Sequence, residues 1–113
     1  MASVSNITNK VINGLGKTEQ VMITTLSNQK AACVGLSLAN LTGGIVKASV
    51  LLEDAEGTKG YYIKDLLIAP NSSARVINGG EKLLLAPENI ISVVSDTNNS
   101  LDVIFSLVVI TYT

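Results

Sequence analysis

The feature that most constrains this chain is a period of two. Val21, Ile23 and Thr25 alternate with Met22 and Thr24. Ala32, Val34, Leu36 and Leu38 alternate with Cys33, Gly35, Ser37 and Ala39, and Val46, Ala48, Val50 and Leu52 alternate with Lys47 and Ser49. Successive residues of a strand point to opposite faces, so a two-residue repeat of apolar side chains is the mark of a β-strand with one face in a core. No segment sustains the 3.6-residue repeat of an amphipathic helix. Further apolar runs fall at 61–68, 75–77, 81–85, 90–95 and 101–112. Turn-formers separate them: Thr42-Gly43-Gly44, Pro70-Asn71-Ser72, Asn78-Gly79-Gly80 and Ala86-Pro87-Glu88-Asn89. The Gly-Gly pair between the second and third runs predicts a hairpin. Short strands with a turn signal about every eight to twelve residues specify an all-β protein. The expected fold is an antiparallel β-sandwich, jelly-roll-like, of about seven or eight strands with an N-terminal arm.

The start of the chain is written differently. Val4, Ile7 and Val11 are too loosely spaced to assign a period, and Asn13-Gly14-Leu15-Gly16 reads as a hinge. Residues 1–16 are therefore expected to be an N-terminal arm or edge segment, with a short helix as the other reading, and residues 17–113 the sandwich domain. Met1-Ala2-Ser3-Val4-Ser5-Asn6 has neither a cationic leader nor an apolar core, so no signal peptide is expected there. The apolar stretch 103–112 is about half the length of a membrane-spanning helix. These features lead to an expectation of synthesis in a cytoplasm and of a protein soluble once folded or assembled, with no membrane partner.

Apolar content exceeds what one small sandwich is expected to hide. Hydrophobic residues are 47 % of the 113 and charged ones only 15 %, against about a quarter in an ordinary soluble domain. In the last run, Leu101, Val103, Phe105, Leu107 and Val109 point one way, and Ile104, Val108 and Ile110 the other. A strand with one wet face should be polar on that side. Leu66-Leu67-Ile68 and Leu83-Leu84-Leu85 repeat the theme. Each such side chain, when buried, contributes roughly 1.5–3 kcal/mol, and a few of them together make a patch of the kind that marks an interaction site. Ile104, Val108, Ile110, Leu66 and Leu84, with Val4, Ile7 and Val11 of the arm, are the candidate interface residues. Either the chain's own arm covers them or identical subunits do, and one subunit's arm on its neighbour satisfies both.

Residue chemistry argues against most other functions. Histidine is absent, so no thiolate–imidazole or hydroxyl–imidazole pair exists. The acidic residues sit mainly in turns, and no catalytic set is expected. The lone Cys33 lies in an apolar run and reads as a buried small hydrophobe. Gly14-Leu15-Gly16 lacks the third glycine of a phosphate cradle, so no nucleotide cofactor is expected. In 96–102, oxygen-bearing side chains alternate as in a calcium loop, but Leu101 stands where glycine is needed and Leu107 where the closing glutamate belongs. Local turns are the expected role, and no metal site is assigned. The eight basic residues are scattered, which excludes a stripe that would release counterions from nucleic acid. Without tryptophan there is no platform for bases or sugars. Glycosylation patterns begin at Asn6, Asn40, Asn71 and Asn98 and read as chance products of an Asn- and Ser-rich chain.

The succession Val34-Gly35-Leu36-Ser37-Leu38-Ala39-Asn40-Leu41-Thr42-Gly43, Ala48-Ser49-Val50-Leu51-Leu52, Tyr61-Tyr62-Ile63-Lys64-Asp65-Leu66-Leu67-Ile68-Ala69-Pro70-Asn71-Ser72-Ser73, Gly79-Gly80-Glu81-Lys82-Leu83-Leu84-Leu85, Asn89-Ile90-Ile91-Ser92-Val93-Val94-Ser95 and Leu101-Asp102-Val103-Ile104-Phe105-Ser106 resembles small β-sandwich virion structural proteins of tailed bacteriophages. The likeness covers roughly 31–110 and is one of strands and turns, not of a chemical motif. It implies a non-enzymatic, oligomeric accessory subunit that decorates or stabilises the capsid or the head–tail region. The implied partners are identical subunits and a capsid, neck or tail protein of the same particle, and the implied place is the virion. The alternative is a tail-tip or neck-associated module that binds a receptor or glycan through the loops 53–60, 70–75 and 96–100.

Overall fold

The computed structural model describes residues 2–77 and 80–113. Its strands are β1 (Ser3–Leu15), β2 (Gln20–Thr24), β3 (Gln29–Asn40), β4 (Val46–Glu53), β5 (Lys59–Ile68), β6 (Ser73–Ile77), β7 (Leu83–Leu85), β8 (Ile90–Ser95) and β9 (Leu101–Tyr112). They form two antiparallel sheets. Sheet A has the order β1-β9-β3-β6, with β7 further along the same edge of β3, and sheet B has the order β2-β8-β4-β5. The two sheets make the antiparallel, jelly-roll-like sandwich that the periodicity specifies. Of the turn expected at Asn78-Gly79-Gly80, the first two residues lie outside the described ones.

The core lies between the sheets. Leu36, Leu38, Leu101, Val103, Phe105 and Leu107 of sheet A meet Val46, Val50, Ile91 and Val93 of sheet B, all at most 2 % exposed. The strict alternation of β9 and β4 puts these residues on one side, as their spacing predicts.

Three expectations from the sequence need correcting. The turn Thr42-Gly43-Gly44 does not close a hairpin: β3 belongs to sheet A and β4 to sheet B, and the turn carries the chain between layers. Asn40, 4 % exposed, holds this corner. Its amide donates to the carbonyls of Gly44 (2.8 Å), Ile68 (3.0 Å) and Ala69 (3.1 Å), while its oxygen accepts from the N–H and hydroxyl of Thr42. Period-two patterning tells which face a residue takes, not which strand it pairs with, and the buried amide supplies the difference. The glycosylation-like pattern at Asn40 is thus a structural keystone.

The second correction concerns β3, which does not alternate in one phase. Its register against β9 slips between Cys33 and Gly35. Ahead of the slip Ala31 and Cys33 face the core; after it Leu36 and Leu38 do. Ala32 and Val34 are thereby turned outward, because one extra residue in a strand moves its following side chains to the other face.

Residues 13–16 are clamped rather than hinged. Gly14 takes φ +71°, and a Cβ there would sit 2.5 Å from Asn99 Oδ1. Its N–H donates to Asp102 Oδ1 at 3.0 Å, and the N–H groups of Ser100 and Ser95 donate to the carbonyls of Leu15 and Gly16. The segment read as an arm or edge segment is β1, the outermost strand of sheet A. It adds edge-on to β9, and among the described residues nothing covers the outer face of the sheet.

Candidate assembly surface

Residues directly opposite one another in an antiparallel pair share a face. Ile7 lies opposite Val108, Val108 opposite Ala32, and Ala32 opposite Leu84. One apolar row therefore crosses β1, β9, β3 and β7 on the outer face of sheet A. A second row sets Val11 against Ile104, with Ser37 and Arg75 beyond. A third sets Ser5 against Ile110 and Lys30. Ile7 is 82 % exposed, Leu84 70 %, Val11 66 % and Ile104 47 %, while Val108 and Ile110 are half-buried by their in-sheet neighbours. An open hollow of about 320 Å³ adjoins the β3 bulge, where Val34, Gly35, Ser37, Arg75, Ile104 and Ser106 meet.

Six of the eight residues expected at an interface thus come together on one surface. Val4 does not join them. It lies opposite Thr111, in phase with the core-facing side of β9, and is exposed where β1 runs past the sandwich. Leu66 sits opposite Ala48 and packs against the core of its own chain. The cause is a bulge at Asp65, whose φ is +51° and whose N–H donates to Ser49 Oγ at 3.0 Å, so that Leu67 is the outward residue. Val34 was missed because the extra residue in β3 leaves no trace in an unbroken apolar alternation.

The outer face of sheet B exposes Val21, Tyr61 and Leu67 but carries a polar strap across its middle strands. Ser92, 2 % exposed, donates its hydroxyl to Glu19 Oε2 at 2.6 Å, and the same carboxylate pairs with Lys59. The pair links the segment before β2 to β5 across the sheet. The hydrogen bond from Lys59, then that from Ser92, holds the Glu19 carboxyl below its usual range, and the bond to Glu19 raises the Lys59 ammonium. Lys64 reaches over the ring of Tyr61 at 5.2 Å.

Other candidate groups are engaged locally. Asp96 Oδ1 accepts from the Lys47 N–H at 3.0 Å and from the Thr97 hydroxyl, and Asn98 Oδ1 accepts from the Lys17 N–H. Asp102 Oδ1 accepts from Gly14 and Asn13. The calcium-like spacing of 96–102 thus serves as a set of clamps on β1 and β4. Among the described residues no three metal-ligating side chains converge, and no helix is long and apolar enough to cross a membrane. Burial pushes the Cys33 thiol up to about 12. Loops 70–75 and 96–100 both bond to the β3–β4 corner. Loop 54–58 lies at the opposite end, beside residues 24–28.

No family model matches the chain, and no curated protein matches it. Among solved structures, a chain from the Bacillus endospore appendages, described as a novel family of disulfide-linked pili, superposes with a TM-score of 0.59 at 13 % identity, over 96 % of this chain and 87 % of that one. A chain of the infectious bursal disease virus Gt strain gives a TM-score of 0.48 at 9 % identity, and this chain spans about a third of its length (33 %). At these identities the likeness to the pilus chain is one of fold, which it shares over nearly its whole length.

Proposed function

We propose that this chain is a non-enzymatic structural subunit that assembles with copies of itself through the outer face of sheet A. The observation that carries this reading is the pair of apolar rows, Ile7–Val108–Ala32–Leu84 and Val11–Ile104, exposed on a two-layer sandwich with no third layer over them among the described residues. A monomer left in water forgoes the stabilisation that burying these side chains would bring. The fold shared with a chain of bacterial pili supports the reading.

The bonding here differs in kind from a disulfide-linked appendage. The one cysteine, Cys33, is 0 % exposed and its thiol is driven away from the reactive thiolate. Contacts between subunits are therefore apolar and hydrogen-bonded. Within this class, the resemblance to tailed-phage structural proteins favours an accessory subunit that decorates or stabilises the capsid or head–tail region, with a capsid, neck or tail protein as second partner. The receptor- or glycan-binding alternative needs its loops together, and 53–60 lies at the end opposite 70–75 and 96–100.

Immunogold electron microscopy tests the placement, using antibody to this chain on phage particles from cells that produce it. Regular labelling at the head or at the head–tail junction is the expected result. Unlabelled particles in lysates that contain the free protein would refute the virion assignment.

A further inference from the structure

Hydrogen bonding fixes which backbone groups of β1 are free. Thr113 N–H donates to the Ala2 carbonyl at 2.9 Å, which sets Ala2 and Thr113 as a hydrogen-bonded pair in the Ser3↔Tyr112 register. Such pairs alternate along an antiparallel ladder. Val4, Asn6, Thr8, Lys10 and Ile12 therefore bond to β9, and Ser3, Ser5, Ile7, Asn9 and Val11 aim their N–H and C=O groups away from the sheet. The register runs without a slip from Ser3 to Ile12.

The other sheet edges are guarded. β2, β6 and β7 are only five, five and three residues long, and the β2 register slips between Val21 and Ile23. β5 has irregular register, a left-handed Asp65, and lysines at 59 and 64. Short strands, bulges and lysines are the usual protections against edge-to-edge pairing. β1 is long, regular and without proline, and Lys10 is its one charge.

We propose that the free edge of β1 pairs with β1 of a second copy, antiparallel, about a two-fold axis at Asn9. The inference rests on the self-assembly reading above and adds a second contact to it: edge pairing sets two sheets A side by side and leaves their joined outer faces for further copies. With Asn9 opposite its own copy, Ile7 meets Val11 and Val11 meets Ile7, so both apolar rows continue into the partner's sheet. An axis at Thr8 or Ile7 instead sets Val11 against Ser5 or Ser3. On the other side of the strand the Asn9 axis puts Thr8 against Lys10, and no lysine faces a lysine. The contact is isologous and closes on itself, as two-fold interfaces do, and main-chain bonding supplies the affinity while the apolar rows set the register.

Two single-residue variants test this. In a hydrogen-bonded antiparallel pair the opposed Cα atoms lie about 5.5 Å apart, within disulfide reach. Asn9→Cys is expected to form a covalent dimer on mild oxidation, with Ser5→Cys remaining monomeric in reducing-agent-free gels; Cys33 is too buried to compete. Asn9→Pro removes a backbone N–H that points away from β9, a change an edge strand tolerates, together with the side chain that accepts from Ser106. It is expected to weaken self-association at least tenfold, with an unchanged β-sheet circular dichroism spectrum. Asn9→Ala, which likewise loses the bond from the Ser106 hydroxyl, is expected to associate like the parent chain.

Absence of the Asn9→Cys dimer, or a folded Asn9→Pro that associates as tightly as Asn9→Ala, overturns the edge pairing. If Leu84→Asp still disrupts association in that case, the outer-face assembly stands and only the edge contact falls. A parent chain that never associates removes both.

Discussion

The two outer faces of this sandwich are built from the same kind of strand and finished in opposite ways. On sheet B the pair Glu19–Lys59, anchored through Ser92, lays a polar strap over the middle strands, and Leu51 in the same row is only 8 % exposed. On sheet A the corresponding rows are Ile7–Val108–Ala32–Leu84 and Val11–Ile104, with nothing among the described residues laid across them. A surface that remains in water is served by charges and hydroxyls; one that is covered later is served by shape and apolar area. The contrast teaches that what sets sheet A apart is the alignment of its apolar residues, not their number alone. Sheet B also exposes Val21, Tyr61 and Leu67, but on sheet A the apolar residues line up in rows with no polar group among them.

The largest effect that sharpens this contrast should come from charge placed on sheet A. Leu84→Asp combined with Ile104→Asp is expected to raise the dissociation constant of the assembly by more than about 100-fold, since a carboxylate buried against an apolar partner face has no compensating group. The same charge on sheet B, as Val21→Asp, should leave association unchanged and shift stability by less than about 0.5 kcal/mol. Sedimentation equilibrium of both variants separates the faces, and equal effects would erase the distinction.

A smaller effect concerns the anchor of the strap. Ser92→Ala removes the hydroxyl that fixes Glu19, and is expected to cost about 1 kcal/mol in urea denaturation. Smallest is the acid response of the strap itself. The folded state holds Glu19 below its ordinary value of 4.5, so the ionised form is favoured on folding. Its contribution is fully present above about pH 4.5 and is lost as pH falls through the lower folded value. Glu19→Gln should flatten the thermal-stability profile slightly over that range while changing little at neutral pH, because the pair is partly exposed. A profile identical to that of the parent chain would show that the strap carries no stability.

Much of this architecture is legible in the residues, and the losses have physical causes. Alternation in β9 and β4 identifies core and outer sides correctly, because each strand keeps a single phase through its apolar residues. In β3 the same signal misleads: small residues on one side and aliphatic ones on the other look like a single phase, while the slip at Val34 reverses it. Leu66 was misplaced for the same kind of reason, since the bulge at Asp65 decides which of Leu66 and Leu67 faces out. The Gly-Gly turn reports a reversal of the chain without saying whether it stays in one sheet. That information sits in Asn40, whose amide bonds to carbonyls distant in sequence. Of the candidate interface, Ile104, Val108 and Ile110 follow from the two-sided apolar pattern of β9, whereas Ile7 and Val11 carry no readable period and enter only as residues of an expected arm. Their alignment with Leu84 into one row needed the register.

The most direct test of the central claim, that the outer face of sheet A is covered by another copy of this chain, is sedimentation velocity of the pure parent protein from low to high micromolar concentration. Species heavier than the 11.8 kDa monomer are expected, in a proportion that grows with concentration, with nothing beyond the edge-paired dimer in the Leu84→Asp, Ile104→Asp variant. A single 11.8 kDa species across the whole range would contradict it.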